Sequence, residues 1–144
     1  MEPSTNSPAQ IEARYRGLFI VWLAILSTVF VFFVLTLLMP RQTQADSPSL
    51  VWILCAVGTF VAVISFVPKQ QMLRQAEAQQ QPRLVTTGYI VAFALSEMAG
   101  LVGMLLYLLT QGQAYLLMFF ISAFFMFLHF PRKQHLAAAS FRKQ

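Results

Sequence analysis

Apolar residues in this chain gather into four runs, at residues 18–39, 50–67, 89–110 and 114–130, separated by short polar segments. None of the runs alternates as a barrel strand would. As helices they extend about 33, 27, 33 and 25 Å, the scale of a hydrocarbon core about 30 Å thick. Lipid offers no partner to an unpaired backbone amide, so spans of this kind must be helical. Pro40, Pro48, Pro68, Pro82 and Pro131 fall at the ends of the runs or outside them, as residues that cannot continue a helix should. The pattern predicts an all-α, four-helix polytopic transmembrane bundle of antiparallel, up-down topology. A polar segment (1–17) precedes the membrane domain (18–130), a connector (68–88) joins spans two and three, and a basic tail (131–144) follows. Within the connector, residues 70–80 lack glycine and proline, and Arg74 and Glu77 stand one helical turn apart, which predicts a short helical extension. The first run is longer than the roughly 7–15 residues of a signal core and is read as an uncleaved span.

Composition agrees. The chain is 58% hydrophobic and 10% charged, where a soluble domain carries about a quarter charged residues. Such an apolar fraction also excludes disorder. The single cysteine, Cys55, forms no intrachain disulfide and reads as a small packing residue. Nine of the ten basic residues, all but Arg41, lie in the first segment, the connector or the tail. That asymmetry predicts both termini in the cytoplasm, and a bacterial inner membrane is the expected location. Trp22, Trp52, Tyr89, Tyr107 and Tyr115 stand near span ends, where amphipathic rings suit the headgroup boundary. The net charge of +5 follows from this topology. The expected partners are the lipid bilayer and other membrane subunits or a second copy of the chain, with no nucleic acid.

Glu97 is the one ionisable side chain well inside a span. A carboxylate near mid-bilayer costs on the order of 2–3 kcal/mol, and no cation lies at matching depth. Apolar surroundings penalise the ion, so the expectation is a neutral acid able to donate one hydrogen bond. Thr28, Thr59 and Ser122 stand near the midpoints of the other spans, and Ser96 adjoins the carboxyl. A buried polar cluster with Glu97 as its hub is therefore expected in the bundle centre. Small residues favour close helix approach. They line span two at Gly58 and Ala62 and span three at Gly100 and Gly103, so these two spans are expected to form the tightest pair. The fourth span carries Phe119, Phe120, Phe124, Phe125, Phe127 and Phe130, which reads as a lipid-facing or inter-subunit surface. His129 and His135 are too few and too separated for a metal site or a nucleophile-base pair, and read as interfacial polar residues. No enzyme, cofactor or metal is indicated.

One segment resembles a known family. Gln81 and Pro82, then Thr86 and Thr87, then Ala94, Leu95, Ser96 and Glu97, followed by Gly100 and Gly103, resemble the second half of the rotary ATP synthase proteolipid, subunit c. In that family a polar cytoplasmic loop containing Gln-Pro leads into a helix whose carboxylate carries the translocated proton or sodium ion. The resemblance implies that Glu97 is an ion carrier and that Gln81 and Pro82 form the loop turn. The preceding run departs from the family's glycine-rich helix, having Gly58 alone. The functional expectation is a proton- or cation-linked subunit of a membrane complex. The alternative is a non-catalytic structural or assembly subunit.

Overall fold

The computed structural model describes residues 8–40, 47–110 and 112–140, and these are all-helical. Arg41, Arg142 and Lys143, which enter the charge asymmetry, and residues 1–7 of the first segment lie outside the described residues. In chain order the helices are α1 (Pro8–Leu38), α2 (Pro48–Ile64), α3 (Phe66–Gln79), α4 (Pro82–Leu109), α5 (Ala114–Leu128) and α6 (Lys133–Ser140). α1, the joined α2–α3 and α4 are each long and apolar enough to cross a membrane. A fourth crossing arises only if α5 and α6, bent by 43° relative to one another, are taken as one broken span.

Proline placement explains several boundaries. Pro48 and Pro82 occupy the first turns of α2 and α4, where a missing amide costs nothing. Pro68 lies in the first turn of α3, so its ring would crowd the carbonyl of Ile64 in a continuous helix. The chain breaks at Ser65 and resumes at once, and the connector expected at 68–88 is mostly helix. What remains of it is Gln80, left-handed at φ 52°, and Gln81. The amides of both close on Ala76 O, which ends α3 and turns the chain into α4. The extension expected over 70–80 is thus part of α3, and α4 starts seven residues before its apolar run. Residues 133–140, expected to be tail, form α6, whose Leu136 and Ala139 are fully buried.

α4 is the central helix and touches every other helix. Its most extensive contact is with α5, not with α2 as the small-residue stripes suggested. Gly103 explains the difference, because a Cβ there would lie 3.1 Å from Met118 Cβ and 3.2 Å from Tyr115 O. α2 also comes close, and a Cβ on Gly58 would meet Met118 Cε and Val102. One core cluster joins Val29, Ala62, Ala99, Leu106, Met118 and Phe119 across α1, α2, α4 and α5. A second joins Trp22, Val85, Tyr89, Phe93, Met126 and Leu136 at the basic end of the molecule, where α1, α4 and α6 begin. Trp22, expected at the headgroup boundary, is buried there. Its Nε1 donates to Met126 O at 2.9 Å, a carbonyl left free by the end of α5. Phe120, Phe124 and Phe127 are exposed as expected, while Phe119 packs inward against Phe33.

Candidate functional site

Glu97 is half-buried on the outer side of α4. It shares a stripe, at helical spacings of three and four, with Ile90, Ala94, Leu101 and Leu105, all exposed. The opposite face, including Ala92, Ser96, Ala99, Gly100 and Gly103, is the one α4 buries. The small residues that let α4 pack closely therefore turn the flanking carboxylate away from the bundle centre. Glu97 makes no hydrogen bond or ion pair among the described residues.

The expected polar cluster is accordingly not formed around Glu97. Ser122 Oγ donates to Ser96 O at 2.9 Å and ties α5 to α4. Ser96 Oγ turns back to Ala92 O at 2.8 Å, and Thr28 Oγ1 to Ala24 O at 3.1 Å. Thr59 is half-buried on α2. Each bonded hydroxyl satisfies itself on a carbonyl, the ordinary recourse of Ser and Thr in apolar helices. Of these hydroxyls, Ser122 alone bridges two helices. Gly58, Ala62, Gly100 and Gly103 are buried.

A polar network that sequence reasoning missed lies at the basic end. His129 is fully buried at the close of α5, with Phe66 against its ring at 4.5 Å between centroids. Its Nε2 lies 2.7 Å from Ser65 Oγ, and its Nδ1 lies 3.3 Å from Lys69 Nζ. An ammonium only donates, so Lys69 donates to Nδ1 and the imidazole proton sits on Nε2, donating to Ser65. The Ser65 hydroxyl in turn donates to Ala62 O at 2.6 Å. This polarity is the reverse of nucleophile activation, in which the imidazole accepts from the hydroxyl. Lys69 Nζ also stands 4.5 Å from the centre of the Tyr89 ring, whose face attracts a cation. Tyr89 Oη accepts the Arg132 amide at 3.3 Å and shares a hydrogen bond with His135 Nδ1 at 2.7 Å.

Lys69 and His135 lie beyond the apolar runs. Burial, with the charge of Arg132 behind it, lowers the Lys69 ammonium from its ordinary 10.5 to about 8. Burial likewise lowers His135, with Lys69 and Arg132 adding to the effect. Both histidines, expected to be interfacial, are thus members of a polar lattice joining α3, α4, α5 and α6, His129 buried and His135 half-buried. The signal was present in the sequence. Ser65, Lys69, Tyr89 and His129 all lie at the same end of their spans, a coincidence of depth that the mid-bilayer level does not reveal. Among the described residues no group of three or more His, Cys, Asp and Glu gathers in metal-binding proximity.

Comparison with known proteins returns no matching family model, no matching curated protein and no matching solved structure.

Proposed function

We propose that this chain is a proton- or cation-linked subunit of a membrane complex, with Glu97 as its ion-carrying group presented to a second subunit. The supporting observation is the place of Glu97: half-buried, unpaired within its own chain among the described residues, and on an outward apolar stripe. An ionisable group at membrane depth is costly unless another surface meets it, and here that surface must come from outside the chain. The likeness of residues 81–109 to the rotary proteolipid implies the same role for this carboxyl. The arrangement proposed is N-in and C-in, in a bacterial inner membrane, with the basic end in the cytoplasm. A non-catalytic assembly subunit is the second reading. It is favoured by the apolar neighbours of Glu97, namely Ile90, Ala94, Leu101 and Leu105, which offer a packing face whatever the carboxyl does.

The two readings separate on one substitution. Glu97→Gln keeps the shape of the protonated acid and removes its titration. In inverted membrane vesicles, the first reading expects proton movement to be lost in Glu97→Gln and partly restored in Glu97→Asp, with co-purifying partners unchanged. Proton movement equal to wild type in Glu97→Gln would leave only the assembly role.

A further inference from the structure

We infer that the crevice between the start of α1 and the start of α4 is a binding site for the phosphate of an anionic glycerophospholipid. A cavity of about 280 Å³ opens there, lined by Arg14, Arg83, Thr86 and Thr87. Two guanidiniums supply forked donors that match phosphate oxygens, and the Thr86 hydroxyl can add a neutral donor. Neither arginine is in an ion pair among the described residues, where Glu12 takes Arg16 and Lys133 instead. Among the described residues, therefore, no ion pair balances the positive charge of the cavity lining. Thr87 Oγ1 donates to the main-chain Arg83 O at 3.1 Å, so its methyl and oxygen shape the cavity wall without offering a hydrogen.

Position selects a lipid over a free anion. Arg14 precedes the apolar run that starts at Leu18, and Arg83, Thr86 and Thr87 precede the one that starts at Tyr89. The site therefore lies at the depth of phosphates in the headgroup layer. Arg83, Thr87, Ile90 and Ala94 follow at spacings of four, three and four, so the cavity wall continues into the exposed apolar stripe of α4. An acyl chain attached to the bound phosphate has an apolar path to follow, which inorganic phosphate would not use. Glu97 does not line the phosphate cavity, so the site stands whether or not that residue carries an ion.

The test is native mass spectrometry of the full chain released from detergent containing equal amounts of phosphatidylglycerol and phosphatidylcholine. Wild type is expected to retain phosphatidylglycerol preferentially. Arg14→Ala with Arg83→Ala should cut that retention about tenfold or more, the scale of losing two charge-assisted contacts. Arg14→Lys with Arg83→Lys should recover only part of it, since a point charge lacks the fork. Arg16→Ala with Arg74→Ala, outside the cavity, should behave as wild type. Should the alanine pair fail to fold, Thr86→Val is expected to lower retention by removing that hydroxyl donor. Equal retention of the two lipids, full retention in the cavity variants, or displacement by excess inorganic phosphate would each overturn the assignment, the last by identifying a free-anion site.

Discussion

Lys69 is 8% exposed, and no carboxylate pairs with it among the described residues. Its compensation comes from the accepting nitrogen of His129 and the face of Tyr89. Folding therefore disfavours this proton, and the sign of the pH effect follows. The folded chain releases it near pH 8, while the unfolded chain holds it up to the ordinary 10.5. Between those values the unfolded state binds more protons, so this group makes stability rise with pH across the window and contributes no slope below it. The thermal midpoint of the wild type in detergent, less that of Lys69→Gln, should climb from pH 8 toward pH 10. A flat difference would contradict the buried ammonium. Glu97 is the converse case, a carboxyl with no cationic partner among the described residues and an outward position. Its identity as the residue of interest was legible from the sequence, since it stands alone in its span. Its direction was not, because an acid flanking a small-residue face can turn to either side, and the packing of α4 on α5 decides which.

At the scale of elements, the apolar runs located the helices well and the stretch 70–80 marked the extension of α3. The start of α4 and the whole of α6 were polar helix hidden in segments read as connector and tail. Gln70, Gln71 and Gln75 extend α3, and Arg83 to Gly88 open α4, because nothing in either stretch stops a helix once the neighbouring turn has formed. α6 reads as tail in the sequence because its surrounding charges mask Leu136 and Ala139, three residues apart and both buried. The glycines give a test of the packing. A Cβ on Gly103 would press on Met118 Cβ and Tyr115 O, neither the free end of a side chain. Gly103→Ala should therefore destabilise the fold by about 1–3 kcal/mol through overpacking of α4 against α5. A Cβ on Gly17 would meet open space, with nothing within 4 Å, so Gly17→Ala should stabilise α1 by about 0.5–1 kcal/mol. Unfolding of both variants in mild detergent checks the pair, and the same sign of change in both would contradict the packing described.

For the whole molecule, two regions divide the work of the fold. The basic end is held by the polar lattice of Ser65, Lys69, Tyr89, His129 and the half-buried His135, with the exposed ion pair of Glu12 and Lys133 at 2.7 Å beside it. That surface pair contributes little by itself, although its partner holds Glu12 below the usual carboxylate range. Toward the middle of the apolar runs the helices pack through small residues and leave the Glu97 stripe of α4 outward. A rigid polar end and an outward acid are what a membrane subunit needs if its chemistry happens at a contact with a neighbour. The most direct measurement is labelling of native membranes with a hydrophobic carbodiimide, which reaches carboxyls from the lipid phase and reacts with the protonated form. The expected result is one adduct, on Glu97, forming faster as pH falls and absent in Glu97→Gln. No adduct on Glu97 at any pH, or labelling of Glu12 and Glu77 to the same extent, would contradict it.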